Sequence, residues 1–377
     1  MSFMSNQSAN NASAHTASTK SVTLKIDGST GEGGGQIIRT ALSLSMLTGI
    51  PIEMFNIRAG RAKHGLMRQH LMCVQASQQI SNASVSGATL GSTSFRFAPN
   101  AIKSGDYHFD IGSAGSTSLV LQTLLPALLF ANTDQNINST VSIKGGTHNP
   151  LAPTTDFLQQ AFVPALAKLG MHVDIECVQA GFAPIGGGVI KATITPFMRR
   201  ADSKPLTLTK RGALTNITLV ASVLNLEYDI GKRELASAKS VLLESGVDDS
   251  LITTKANKLD GIGEGNTCYA QVTHECGDHL HHEIFTLLGE KRTSAEKMGN
   301  RLAGLVKRYL FKTDALADEY LTDQLLLPLA LSGGGQFTAR VISEHTKTQS
   351  WLIEQFLPVK IAFDTINDSQ TLVQIVC

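Results

Sequence analysis

GEGGGQIIRTALSLSMLTG, residues 31–49, decides the fold. Glycines at 31 and 33–35 make a turn with room for unusual backbone angles, and the apolar residues from Ile37 to Leu47 then recur at helical spacing until Gly49 stops the run. Upstream, VTLKIDG alternates apolar and polar residues from Val22 to Ile26, which predicts a strand. Downstream, PIEMFNIR (51–58) reads as a second strand, AGRAKHG (59–65) as a basic loop, and LMRQHLMCVQASQQIS (66–81) as a second helix. The pattern repeats further on, with a strand over Tyr107–Ile111, a GSAGS turn and a helix from Thr117. Such alternation predicts an α/β (α+β) chain in layers rather than a helical bundle. GGGQ occurs at 33–36 and again at 333–336, with related turns GSAGS (112–116) and PIGGG (184–188), so a repeated βα unit is expected. Between 202 and 315 charge is denser, glycine triplets vanish, and RELASAKSVLLESG and TSAEKMGNRLAGLVKRYL read as helices. The expected organisation is therefore a tail over 1–20, a large domain over 21–201 and 316–377, and a smaller α/β domain inserted over 202–315.

Composition narrows the function classes. A chain of 377 residues with 42% hydrophobic and 17% charged residues supports more than one core and excludes a mainly disordered or fibrous protein. A formal net charge of +1 advertises no polyanion partner, so any nucleic-acid contact has to come from a local cluster of Arg and Lys. Five scattered cysteines without a CxxC pair argue against a disulfide framework or a structural zinc site, and a reducing, cytoplasmic setting is expected. The first 20 residues lack the apolar core of a secretory signal and read as a flexible tail. SLVLQTLLPALLF, Ser118–Phe130, is too short to span a bilayer and carries Gln122 and Pro126, so it reads as a buried helix and no membrane partner is expected.

Four constellations could carry chemistry. In the first, Glu32 sits within the glycine turn and Arg39 lies a turn into the following helix, an arrangement that brings backbone N–H groups toward an anion. The turn lacks the GK[ST] of a Walker loop, and plain turn punctuation is the competing reading. The second is the basic run Arg58, Arg61, Lys63 and Arg68, offset only by Glu53 and interleaved with His64, Gln69 and His70. With Phe55 its only aromatic neighbour, it suits the gripping of a phosphate end better than stacking along a strand of bases. A solvated loop is the alternative. Third, GGTHNPLAPTTDF (145–157) presents Thr147, His148 and Asn149 between prolines, as a rigid loop or a functional one. Fourth, EYLTDQLLLPLALSGGGQFT (319–338) places Asp323 in a helix, and VISEHTKTQSWLIEQFLP (341–358) places His345 at a strand-to-helix junction, where a ring nitrogen can meet a phosphate. His274, Cys276, His279, His281 and His282 crowd together in THECGDHLHHE, but their spacing matches no standard zinc finger, and an exposed hairpin turn is expected there.

Together GEGGGQIIRTALSLSMLTG, IRAGRAKHGLMRQHL, GSAGSTSLVLQTLLPALLFA, GGTHNPLAP, GEKRTSAE, EYLTDQLLLPLAL and the GGGQFT before His345 resemble the RNA 3′-terminal phosphate cyclase family, in the family's order, from about Ile26 to Val376. The resemblance implies a large domain of repeated β-α-β-α-β-β units, similar to the C-terminal domain of a translation initiation factor, with a thioredoxin-like α/β domain inserted. It implies an ATP-dependent, AMP-forming ligase that converts the 3′-phosphate of an RNA partner into a 2′,3′-cyclic phosphate through a histidine-AMP intermediate. On this chain the adenylated histidine falls on His345, with Arg39 and Arg61 as further catalytic residues. The nucleotide contacts fall on Glu32, Gln122, Tyr320, Leu321, Thr322, Asp323 and Gln324, and Glu32 and Asp323 would hold Mg2+ or Mn2+. The RNA phosphate falls to Arg58, Arg61, Lys63, Arg68, Gln69 and His70. His64 departs from the proline common at that position in the family, and a homodimer is left open. The rival within the superfamily is a non-catalytic, cyclase-like RNA-binding protein of ribosome assembly, against which His345 argues.

Overall fold

The computed structural model describes residues 22–131, 137–198 and 205–377; the expected tail over 1–20 lies outside the described residues. Its first unit runs β1 (Leu24–Asp27), α1 (Gly35–Thr48), β2 (Ile52–Phe55), α2 (Arg68–Ser81), β3 (Ser84–Ser86), β4 (Phe95–Ala98). β1 and β2 pair in parallel, β4 runs antiparallel to both β2 and β3, and the sheet order is β1-β2-β4-β3. Helix α1 ends as foreseen at Gly49, whose left-handed φ of 71° lets its N–H reach the Ser45 carbonyl. Helix α2 starts two residues later than its apolar pattern suggests, because the Leu66 carbonyl, which a longer helix would offer to the His70 N–H, accepts the Gly91 N–H instead.

The second unit repeats that plan with β5 (Asp106–Asp110), α3 (Thr117–Leu129), β6 (Ser139–Gly145), α4 (Thr155–Phe157), α5 (Val163–Lys168), β7 (Val173–Gly181) and β8 (Gly188–Ile194). A π-helical turn, Leu158–Phe162, joins α4 to α5. The strands again order as β5-β6-β8-β7, with the same parallel and antiparallel pairings. As expected, the apolar run ending at Phe130 forms a buried helix, and no helix among the described residues is long and apolar enough to cross a membrane.

A third unit opens with β9 (Leu206–Leu208) and is then interrupted by β10 (Leu214–Leu224), α6 (Tyr228–Glu244), β11 (Ile252–Lys258), β12 (Gly261–Ile262), β13 (Gly265–Cys276), β14 (His279–Leu288) and α7 (Ala295–Phe311). It resumes with α8 (Glu319–Ser332), β15 (Gly335–Ala339), α9 (Glu344–Phe356), β16 (Lys360–Asn367) and β17 (Gln370–Val376), in the order β9-β15-β17-β16. The interruption has its own sheet, β11-β10-β13-β14, and its own core around Leu219, Leu235, Leu302 and Tyr309. Leu206–Leu208, within the stretch expected for the inserted domain, pairs in parallel with β15 at the edge of the third sheet. Composition missed this because a three-residue strand carries almost no pattern of its own. The link is reinforced where β12 adds itself to the edge of the second sheet beside β7.

The two GGGQ tetrapeptides do not mark equivalent positions. The first connects a strand to a helix, whereas Gly333, at φ 101°, closes the C-terminus of α8 and Gln336 lies within β15. The repeat is real at the level of strand order, and the shared tetrapeptide is not its signature.

Candidate active site

The glycine turn ahead of α1 is the hub. Gly31 and Gly33 have φ of 62° and 56°, which favour glycine, and a Cβ on Gly31 would overlap the Thr348 hydroxyl of α9. A Cβ on Gly35 would run into His70 and come within 2.9 Å of the Arg39 guanidinium. Bare backbone thus lets the N-terminus of α1, the first turn of α9 and a set of cations approach one another.

His345 is the second residue of α9, behind the cap Ser343, whose hydroxyl accepts the Thr346 N–H. Its half-buried ring meets Gln36 Oε1 through Nδ1, and its Nε2 lies 3.0 Å from the Glu32 carboxylate. Arg61 donates to the Glu32 carbonyl at 3.1 Å and reaches its carboxylate at 3.4 Å. Residues from opposite ends of the chain therefore face each other across the turn, as sequence reasoning required. Gln36 was missed. Its only sequence signal is its place at the end of the first GGGQ, on the opening turn of α1.

Asp323 supports the same corner from beneath. It is 7% exposed, and its Oδ1 accepts from the Ser343 hydroxyl at 3.3 Å and from the Thr346 hydroxyl. Burial pushes its carboxyl up to about 6, against the downward pull of Thr346, His345 and Ser343. The carboxylate thus braces the turn that carries His345.

On the other side of the hub the cations gather. Arg39 is half-buried with no acidic partner among the described residues, and burial lowers its pKa. His70 is buried, and its Nδ1 accepts the Met67 N–H at 3.2 Å, which leaves the ring proton on Nε2, beside Gly35. Burial, then the charges of Arg39 and Arg58, push its pKa down to about 3, so it faces the turn as a neutral donor. Arg58, at φ 55°, reaches the Gly65 carbonyl at 3.4 Å, and burial followed by the charge of Arg61 lowers its pKa. Arg68 opens α2 and points its guanidinium at Gly112, while Lys63 and His64 are exposed in the loop. Arg39 and Arg58, partly desolvated and without an acidic partner among the described residues, stand beside a helix N-terminus, an arrangement whose chemistry suits an anion.

Other expected residues have different surroundings. Gln69 Oε1 accepts the Ser116 N–H at 2.8 Å and fastens α2 to the GSAGS turn. Gln122 donates to Gln324, joining α3 to α8, and Tyr320 is exposed at the start of α8. The side chains of Leu321 and Thr322 are buried, and the Thr322 hydroxyl donates to the Asp318 carbonyl at 2.8 Å, so neither presents its side chain to a ligand. His148 is buried, stacks on Phe182 at 4.6 Å and lies 3.2 Å from Asp156.

Asp323 is occupied by hydroxyls and Glu32 by Arg61 and His345, and no group of three or more His, Cys, Asp or Glu that could hold a metal occurs among the described residues. The histidine-rich segment belongs to the inserted unit: its hairpin turn at Gly277 and Asp278 is exposed as expected, with Glu275, His279 and Leu280, whereas His274 and His281 pair across β13 and β14 and are buried.

A family model described as RNA 3′-terminal phosphate cyclase matches residues 30–363. Curated proteins of that description are similar to the chain along most of their length. One from Ralstonia nicotianae is 45% identical over 349 residues, covering 93% of this chain and 96% of the relative. One from Koribacter versatilis is 45% identical over 334 residues, covering 89% and 90%, and one from Salmonella typhimurium is 42% identical over 352 residues, covering 93% and 98%.

Proposed function

The chain belongs to the RNA 3′-terminal phosphate cyclase family, and from that premise we propose that His345 is the nucleophile through which it activates RNA ends with ATP. The enzyme activity itself follows from family membership over most of the chain; the residue roles below are our reading of the site. The observation that carries the reading is the Nε2 of His345 lying 3.0 Å from the carboxylate of the glycine turn, with Arg39, which has no acidic partner among the described residues, across that turn.

An imidazole is nucleophilic near neutral pH when its attacking nitrogen is deprotonated. Glu32 is placed to take the Nε2 proton of a protonated ring, which leaves the lone pair on Nε2 and the remaining proton on Nδ1. Nε2 then attacks the α-phosphorus of ATP, the bond to the bridging oxygen breaks, and pyrophosphate leaves. AMP passes from His345 to an oxygen of the RNA 3′-phosphate. The neighbouring 2′-oxygen attacks that phosphorus, AMP departs and the ring closes. Arg39, Arg58 and the Nε2–H of His70 hold the charge that builds on phosphate oxygens, with Arg61, Lys63 and Arg68 at the exposed edge to guide the RNA end. Gln122, Gln324 and Tyr320 are placed to bound the nucleoside. Glu32 is engaged by Arg61 and His345 and Asp323 by two hydroxyls, and no step is assigned to either as a ligand of Mg2+ or Mn2+. The three units of common strand order support the repeated domain that the resemblance implies, and the separate core of β10–α7 supports an inserted one.

Incubation with ATP labelled at the α-phosphate tests the assignment. Protein-bound AMP, acid-labile and released by hydroxylamine, is expected, and His345→Ala abolishes it. Label that survives the substitution places the nucleophile elsewhere.

A further inference from the structure

We propose that Gln36, itself oriented by Gln349, is a positioning residue that holds the His345 ring with its proton on Nδ1, so that the lone pair stands on Nε2, the nitrogen facing Glu32. This rests on the reading of His345 as nucleophile and adds a device that selects one of its two nitrogens.

The two nitrogens have unlike surroundings. Nδ1 meets Gln36 Oε1 and Nε2 meets the exposed carboxylate of Glu32. A carboxamide could turn either its oxygen or its nitrogen to the ring, and what fixes the choice is its second contact. Gln36 Nε2 donates to Gln349 Oε1 at 2.8 Å, which leaves only Oε1 for the histidine. Gln349 is 9% exposed and lies four residues after His345, so both stand on one face of α9. The ring and the amide that orients it are thus fixed by the same helix, and Gln36 spans from α1 to reach both.

An acceptor at Nδ1 stabilises the tautomer that carries its proton there. In the reaction the Nε2 lone pair forms the bond to the α-phosphorus while the bond to the pyrophosphate oxygen breaks. The Nδ1 proton stays on the ring, and Gln36 stabilises the positive charge that the ring acquires. When AMP moves on to the RNA phosphate, the bond from Nε2 to phosphorus breaks and its electron pair returns to the ring. Without the amide oxygen the ring can present the wrong nitrogen or turn about its Cβ–Cγ bond.

The test uses the full-length protein labelled with 15N-histidine, and the His345 signals are identified by their loss in His345→Ala. In long-range 1H–15N spectra of the neutral ring, the Nδ1-protonated pattern is expected, and it should be lost in Gln36→Leu. Self-adenylation in Gln36→Leu should fall on the order of 100-fold in rate, the effect of a misplaced reacting group, with little change in the KM for ATP. Gln36→Glu keeps an acceptor at Nδ1 and should recover most of the rate. A neutral ring protonated at Nε2 in the parent, or equal losses in the Leu and Glu variants with the tautomer unchanged, would overturn the relay while leaving His345 as the nucleophile. Absence of any adenylate on His345 in the parent would instead overturn the reading beneath it.

Discussion

Replacing Asp323 by asparagine separates a brace from a metal ligand. In the folded protein burial raises the carboxyl of Asp323 from its ordinary 3.8 to about 6. A carboxyl raised by folding holds its proton more tightly in the native state, so its favourable contribution is complete below about pH 4 and is lost as pH rises through about 6. Above that range the buried charge subtracts ~3 kcal/mol from stability. Asparagine keeps Oδ1 in place for the hydroxyls of Ser343 and Thr346 and removes the charge. The raised value already includes the attraction to His345, so Asp323→Asn should be more stable than the parent by about 3 kcal/mol at pH 8, with the advantage gone at pH 4. Urea denaturation at both pH values measures this. Self-adenylation should fall less than about tenfold, since the first turn of α9 keeps its support, with the dependence on divalent cation unchanged. A variant less stable at pH 8 than the parent, or one needing far more Mg2+ for labelling, would refute the brace and restore Asp323 as a metal ligand.

Three further substitutions probe the hub. Arg39→Met removes a partly desolvated cation that has no acidic partner and should reduce self-adenylation by at least 100-fold without lowering the melting temperature; a mild loss of rate would deny it the phosphate role. Gly31→Ala meets both a φ of 62° and the Thr348 hydroxyl, and should destabilise the fold by about 2 kcal/mol. Thr348→Ala in the same chain should return only the part due to overlap, as read by denaturant titration. Arg61→Ala should spare self-adenylation more than cyclisation of a 3′-phosphate RNA, and equal loss of both in paired assays would assign Arg61 to the nucleotide.

What could be read from the sequence was the local syntax. The glycine turn, the spacing of α1 and its stop at Gly49 survive in the structure because each is dictated within a few residues. The third unit was hidden because its opening strand, Leu206–Leu208, is separated from α8 by the entire insertion, and no periodicity spans such a gap. His345 and Glu32 were legible as residue types in suggestive settings. Gln36 was not, because an uncharged amide on the first turn of a helix resembles any solvated residue until its partners are seen. At Leu321 and Thr322 the sequence did not show that the side chains pack into the core beneath α8. Beside the exposed hairpin turn, the burial of His274 and His281 was not legible, since histidine-rich sequence does not announce a core position.

The most direct test of the account is a crystal structure of the full-length protein with an ATP analogue that cannot be cleaved between its α- and β-phosphates. It should place the α-phosphorus about 3–3.5 Å from His345 Nε2, opposite the bridging oxygen, with the phosphates against the turn of Gly31–Gly35 and Arg39 within hydrogen-bond reach. A triphosphate bound elsewhere, with Nε2 still on Glu32, would contradict it.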